Sequence, residues 1–277
     1  MKKFIKLLSF ELDRVWKVYV VLLGLTLVLQ LMGVIVKSEM YMGHVKKAIQ
    51  EKGMTKADFL NQYGRLEFGQ ILKTNAFSFS IIICVVTLGI LIFWIWYRDW
   101  LGKNTFIYRL LMLPTSRFNV YFAKLGALLL GVFGLIAFQL LLLPCEMKLY
   151  QAMVPQEFRP NFPLAGELWN GSIFAVILPP DSTDFVFFYF IGIMLVLVLF
   201  TAILIERSYH LKGIILAIGY TGLSIIFFLA PAFIALKLSI SYFYPFEFIS
   251  LEVILGIIVC GASIGTSHYL LRRKITV

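Results

Sequence analysis

The most informative absence in this sequence is that of charge from six long stretches. Asp, Glu, Lys and Arg make up only 14% of the 277 residues, whereas 60% are hydrophobic. A soluble domain with so little polar surface could not cover its core, so the soluble classes are excluded. Cysteine is also scarce. Cys84, Cys145 and Cys260 cannot all pair, and their apolar neighbours predict buried thiols without a disulfide framework.

The uncharged stretches have the length of membrane spans. They cover residues 18–36, 74–97, 125–145, 185–205, 213–236 and 253–271. About 20 helical residues cross a hydrocarbon core of roughly 30 Å. The sequence therefore predicts an all-α integral membrane protein with six transmembrane helices. They form a single domain over residues 1–277, with extracellular loops at 37–73, 146–184 and 237–252.

Positive charge is missing from alternate connecting segments. Residues 1–17, 98–124, 206–212 and 272–277 carry 15 of the 25 Lys and Arg but only 4 of the 15 Asp and Glu. We call the side of the membrane that holds these four segments the basic side. Basic residues stay in the cytoplasm during insertion, which predicts a multi-pass protein of the plasma membrane with both termini cytoplasmic. Anionic lipid at that surface accounts for the net charge of +10, so no nucleic acid is invoked.

Missing motifs restrict the chemistry further. The sequence has no G-x-x-x-x-G-K-S/T loop for nucleotide phosphates and no HExxH, which predicts no cofactor and no metal site in this chain. The six stretches also lack the ionisable groups that ion-coupled transporters place at mid-membrane. A transporter of this kind would need an external source of energy.

Segments outside the spans show local helix signals. In residues 1–17, apolar residues recur at helical spacing and most charged residues fall on the other side. This predicts an amphipathic helix in the membrane interface, with a frayed polar leader as the alternative. Thr55-x-x-Asp58 predicts a helix start, followed by a partly amphipathic helix that reaches Phe68. Pro144 predicts the end of span 3.

The longest connection on the basic side is more than a chain reversal. A plausible N-cap at Asn104 or Thr105 predicts two helical turns up to Leu113, where Pro114 ends them. Its apolar residues lie beside basic Lys103 and Arg109, which suits docking into a groove on another protein or, alternatively, lying flat on lipid. The predicted docking helix consists of Asn104, Thr105, Phe106, Ile107, Tyr108, Arg109, Leu110, Leu111, Met112 and Leu113. Arg98, Asp99, Pro114 and Arg117 form its ends.

With Leu113-Pro114-Thr115-Ser116-Arg117 directly before span 3, this segment resembles the coupling helix of ABC-2 (type V exporter-like) permease subunits. The six spans, the N-terminal interfacial helix and the tight turn between spans 4 and 5 agree with that family. The resemblance implies a second permease, identical or related, beside this one. It also implies two ABC ATPase subunits, which bind ATP and Mg²⁺ and contact the cytoplasmic coupling helix.

The cargo and the rival functions follow from the spans. An uncharged interior rich in phenylalanine favours outward transport of hydrophobic or amphipathic cargo, above all a membrane-active or antimicrobial peptide, then a drug or lipid. Gly261-Ala262-Ser263-Ile264-Gly265 fits the G-x-S-x-G of a nucleophilic serine, but within a span it favours helix packing at Gly261 and Gly265. The alternatives are an intramembrane lipid- or peptide-processing enzyme that uses Ser263 and a non-transporting scaffold or immunity protein.

Overall fold

The computed structural model describes residues 2–51, 53–101, 110, 112, 116–160, 173–238 and 245–274. These ranges contain helices and no strand. The α-helices are α1 Lys2–Gln50, α2 Lys56–Tyr63, α3 Phe68–Leu72, α4 Asn75–Leu101, α5 Arg117–Met153, α6 Phe174–Ile177, α7 Ser182–Leu238 and α8 Pro245–Tyr269. A 3-10 turn covers Gln156–Phe158, and a π-helical turn at Leu270–Lys274 extends α8.

Six described segments are long and apolar enough to span a membrane. They are Lys3–Gln50, Asn75–Trp100, Arg117–Met153, Ser182–Tyr209, Leu211–Ile234 and Glu247–Lys274. Each largely coincides with one uncharged stretch, which confirms the prediction of an all-helical, multi-pass membrane protein. Several extend well beyond the predicted bounds, because polar residues next to a span continue the same helix.

Helix α1 shows this extension most clearly. Its 49 residues run through the predicted interfacial segment, span 1 and the first part of loop 37–73 without a break. A helix of that length is more than twice as long as a hydrocarbon core of roughly 30 Å requires. Residues 2–17 are therefore helical, as predicted, but they are continuous with span 1 and do not form a separate helix.

Two local predictions are wrong. Pro144 does not end span 3, since it lies inside α5, which continues to Met153. Membrane helices tolerate an internal proline when other groups satisfy the backbone carbonyl that it frees. The three cysteines are free but not buried: Cys145 is exposed, and Cys84 and Cys260 are partly exposed.

The chain divides into two compact units, and α1, α4, α5 and α7 contribute to both. Unit 1 contains residues 1–11, 89–128 and 186–277, and unit 2 contains residues 12–88 and 129–185. In unit 2, an apolar cluster includes Phe59, Phe77 and Phe174. It packs the segments between the spans against the parts of α1 and α5 that belong to this unit. The Tyr150 hydroxyl donates to the Leu66 carbonyl within this unit.

The predicted helix start in unit 2 is confirmed, whereas the predicted helix end is wrong. The Thr55 hydroxyl accepts a hydrogen bond from the Asp58 backbone N–H at 3.2 Å and caps α2. The helix ends at Tyr63, because Gly64 adopts a φ of +74°, a conformation that glycine tolerates without strain. Residues up to Phe68 therefore do not belong to one helix.

Side-chain amides hold three helices together in unit 2. The amide groups of Gln30 on α1 and Gln139 on α5 exchange two hydrogen bonds of 2.9 and 3.0 Å. Gln30 also donates to the Ser80 hydroxyl on α4 at 2.9 Å. Polar side chains between apolar helices pair in this way because lipid offers them no hydrogen bonds.

In unit 1, α7 reverses direction, as the prediction of a turn at 206–212 requires. Met194 and Val198 share a buried cluster with Phe228. Positions 194 and 228 would lie about 51 Å apart on a straight helix, so their shared cluster requires the chain to turn back between them. At the reversal, a Cβ on Gly213 would lie only 2.6 Å from the carbonyl oxygen of Glu206. Glycine is therefore required at position 213.

Candidate functional site

A cluster of four charged side chains lies in unit 1 at the basic side. We call Glu11 of α1, Arg98 and Asp99 of α4 and Lys124 of α5 the charge cluster. Lys124 and Asp99 are completely buried, and Glu11 is 2% exposed. Arg98 is 19% exposed. The cluster carries no net charge, so each buried charge has a neighbour of opposite sign.

The helical repeat places the three most buried of these residues on the packed faces of their helices. Glu11 follows buried Leu7 by four residues, and Asp99 follows buried Ile95 by four. Lys124 follows buried Val120 by four residues in the same way. Residues four apart lie on one face of a helix, so each charge takes the face that already packs against neighbouring helices.

Lys124 is the centre of the cluster. Its ammonium group donates to Glu11 Oε1 at 2.8 Å, to the Ile95 carbonyl at 2.9 Å and to Asp99 Oδ2. An ammonium group has three donors, and all three are used. Arg98 adds a longer contact of 3.5 Å to Glu11 Oε2. Burying these charges costs desolvation energy, but removing one partner from a complete set is more costly still.

The end of α4 is also attached to the reversal in α7. The Tyr97 hydroxyl donates to Glu206 Oε2. The guanidinium group of Arg207 lies 4.6 Å from the centre of the Tyr97 ring, a distance typical of a cation–π contact. The last turn of α4 therefore contacts α1 and α5 through the charge cluster and α7 through Tyr97.

The beginning of α5 is attached to the end of α8. Arg117 Nη1 donates to the Leu271 carbonyl at 2.9 Å, which satisfies one of the last carbonyl groups of that helix. Phe118 lies against His268, with 5.2 Å between the ring centres. Residues just before and just after 102–115 thus contact α1, α7 and α8.

The predicted docking helix itself falls largely outside the described residues. Of positions 104–113, the structure describes Leu110, which is 4% exposed, and Met112, which is 67% exposed. Pro114 also lies outside the described residues. Of the predicted ends, the structure describes Arg98, Asp99 and Arg117, and all three make the polar contacts given above.

The nucleophile alternative has no support from the surroundings of Ser263. This side chain is completely buried, and its hydroxyl lies 2.7 Å from the Tyr220 phenol, where a nucleophilic serine would need an imidazole or carboxylate. In the part of the chain that the structure describes, no group of three His, Cys, Asp or Glu side chains could hold a metal ion. A Cβ at Gly261 or Gly265 would meet nothing within 4 Å, so packing within this chain does not need these glycines.

Sequence reasoning missed the inward position of the charge cluster. The six uncharged stretches stop short of Glu11, Asp99 and Lys124, but the helices continue and bury all three. Glu146, just past the third stretch, is completely buried as well. The uncharged interior expected from the six stretches therefore does not extend to the ends of these helices. The signal in the sequence is that Glu11, Asp99 and Lys124 each follow an apolar residue by four positions, which places them on the apolar face of their helix.

Comparison with family models, with curated proteins and with solved structures finds no match to this chain.

Proposed function

We propose that this chain is the membrane subunit of an ATP-driven exporter of the ABC-2 type, powered by separate ATPase subunits that bind at residues 104–113. One observation carries the proposal. The residues on both sides of this segment contact other helices of unit 1: Asp99 contacts Lys124, Tyr97 contacts Glu206, and Arg117 contacts Leu271. These contacts would couple a movement of residues 104–113 to the neighbouring helices.

These contacts suggest how force would pass into the membrane. A partner that displaces residues 104–113 pulls on the last turn of α4 and the first turn of α5. The ammonium of Lys124 moves with α5, and Glu11 on α1 follows because its carboxylate is bound at 2.8 Å. Nucleotide-dependent closure of the ATPases would favour one arrangement of these helices over another, since a partner shifts an equilibrium only by its differential contacts.

The cargo we propose is hydrophobic or amphipathic, with a membrane-active peptide first and a drug or lipid second. The sequence contains 26 phenylalanines among its 60% hydrophobic residues. A surface of such residues between two permeases would bind an apolar cargo. It would offer few hydrogen bonds to a carbohydrate, which needs many. The assembly would contain two permeases and two ATPases in the plasma membrane, with the basic side in the cytoplasm.

The test is association with a partner that carries a nucleotide-binding loop. Tagged protein is purified from its own cells in mild detergent. Proteins that co-purify are identified by mass spectrometry, and hydrolysis of MgATP is measured after reconstitution. We expect a subunit with the G-x-x-x-x-G-K-S/T motif in equal number to the permease. Arg109→Glu, on the predicted docking helix, should reduce both association and hydrolysis at least tenfold.

Lys148→Glu is the matched control, because it makes the same charge reversal at an exposed position of α5 on the opposite side from the basic segments. Its association with the partner should equal that of the wild type. The proposal is wrong if no P-loop protein co-purifies, or if the two variants weaken association equally. Stable expression without any partner would favour the scaffold alternative. ATP-dependent uptake of a labelled amphipathic peptide into inside-out vesicles would then test the cargo.

A further inference from the structure

A cleft at the basic side of unit 1 has the chemistry of an anion site. It encloses about 410 Å³ between the start of α5 and the end of α8, a size typical of small-ligand sites. The residues that line it are Ser116, Arg117, Phe118, His268, Leu271 and Arg272. Two of these lining residues are arginines, and none of the six is acidic.

The fold holds one of the two positive groups in place and sets the backbone position of the other. Arg117 is fixed by its hydrogen bond of 2.9 Å to the Leu271 carbonyl, which also withdraws that negative oxygen from the cleft. Arg272 lies in the π-helical turn Leu270–Lys274, an insertion that often accompanies functional sites. The cleft also includes the N-terminal end of a helix of 37 residues, which adds a partial positive charge. That charge offsets the partial negative charge at the C-terminal end of α8, which also borders the cleft, so the arginines set its sign.

The other walls suit the lipid that surrounds such a site. Phe118 packs on Tyr121, with 5.5 Å between ring centres, and Leu271 is 3% exposed, so both give the cleft a firm apolar wall. The Ser116 hydroxyl and the His268 imidazole offer hydrogen bonds beside that wall. Arginine and hydroxyl donors next to an apolar surface, at the end of membrane helices, match a phosphate group that is joined to glycerol and acyl chains.

We propose that this cleft binds the phosphate group of an anionic phospholipid. Both guanidinium groups contact the phosphate oxygens, and the glycerol end of the lipid lies against Phe118 and Leu271. Bound in this way, the lipid bridges the start of α5 and the end of α8. The proposal does not depend on the transport function, because it concerns α5 and α8 of this chain alone.

Lipid titration of the purified, delipidated full-length chain tests the site. Native mass spectrometry counts bound lipid while phosphatidylglycerol or phosphatidylcholine is added in neutral detergent. We expect one phosphatidylglycerol to bind more tightly than phosphatidylcholine. Arg272→Gln should weaken the binding of phosphatidylglycerol about tenfold, the usual effect of losing one charge-assisted hydrogen bond. Arg273→Gln is the matched control, because it removes the same charge from the next residue, which does not line the cleft.

A second variant separates binding from folding. Ser116 directly precedes α5, where Asp favours helix formation. Ser116→Asp should therefore leave thermal unfolding unchanged. It should still weaken the binding of phosphatidylglycerol at least tenfold, because the carboxylate repels the phosphate. Competition with inorganic phosphate identifies the source of the ligand. Displacement of the lipid at low millimolar phosphate would assign the site to free phosphate and overturn the lipid assignment.

Two results would overturn the site itself. The first is an equal loss of affinity for phosphatidylglycerol in Arg272→Gln and Arg273→Gln. It would mean that the basic tail attracts anionic lipid without a defined cleft. The second is unchanged affinity in both Arg272→Gln and Ser116→Asp. The expected pattern is a loss of about tenfold in these two variants and of less than about threefold in Arg273→Gln.

Discussion

Replacement of Lys124 by methionine should destabilise this protein more than any exposed substitution. The change keeps an unbranched side chain that is one atom shorter and removes the ammonium that contacts Glu11 at 2.8 Å, the Ile95 carbonyl at 2.9 Å and Asp99. Two buried carboxylates of like charge then lose the group that lies between them. Breaking a buried ion pair from one side costs about 3–5 kcal/mol.

The size of this loss can be compared with the total stability. Folded proteins are stable by about 5–15 kcal/mol, so the variant should lose about a fifth or more of that free energy. At roughly 2–4 °C per kcal/mol for a chain of this size class, the midpoint of thermal unfolding should fall by about 10 °C. Intrinsic fluorescence of the five tryptophans, followed on heating in detergent, measures the shift.

Two further variants make the reasoning refutable. Lys148→Met makes the same chemical change at an exposed position and should shift the midpoint by less than about 2 °C. The triple variant Glu11→Gln, Asp99→Asn, Lys124→Met removes all three buried charges and should recover at least half of the loss, because no buried charge then lacks a counter-charge. The argument would be refuted if Lys124→Met were as stable as Lys148→Met, or if the triple variant were no more stable than Lys124→Met.

Two other substitutions have defined outcomes. Gly213→Ala should lower the unfolding midpoint by several degrees, since its Cβ would meet a backbone oxygen at 2.6 Å, whereas Gly219→Ala, with nothing within 4 Å, should leave it unchanged. If both behave alike, the reversal of α7 does not depend on glycine. A double-mutant cycle with Gln30→Leu and Gln139→Leu should give a coupling energy of about 0.6–1.7 kcal/mol in SDS unfolding, the range for hydrogen bonds between membrane helices. A coupling of zero would mean that the paired amides contribute nothing.

Features that depend on a local pattern could be predicted from the sequence. The cap of α2 follows from a hydroxyl three residues before an acidic residue, and the structure shows that cap at Thr55. The reversal of α7 follows from a short polar interruption between two long apolar stretches. The end of span 3 could not be predicted from Pro144, because the cost of a proline depends on what packs around the helix.

The candidate site could be predicted only in part. Arg98, Asp99 and Arg117 are predicted ends of the docking segment, and the structure shows that each makes polar contacts with other helices, while the docking role stays a prediction. Glu11 and Lys124 are not predicted, because both lie outside the uncharged stretches and resemble ordinary flanking charges. Their pairing brings together positions 113 residues apart, and no pattern along the chain specifies such a contact.

The sequence by itself determined that this is a six-span helical membrane protein and which connecting segments are basic. Composition is sufficient for this, because the hydrocarbon core sets the length and polarity of each crossing segment independently of its neighbours. Only the tertiary structure decided that Lys124 binds Glu11 and Asp99 and that Arg117 binds the end of α8. The uncharged stretches show where the chain crosses the membrane. Contacts between helices decide which of the charges at their ends are buried, because a charge enters the interior only where a partner from another helix meets it.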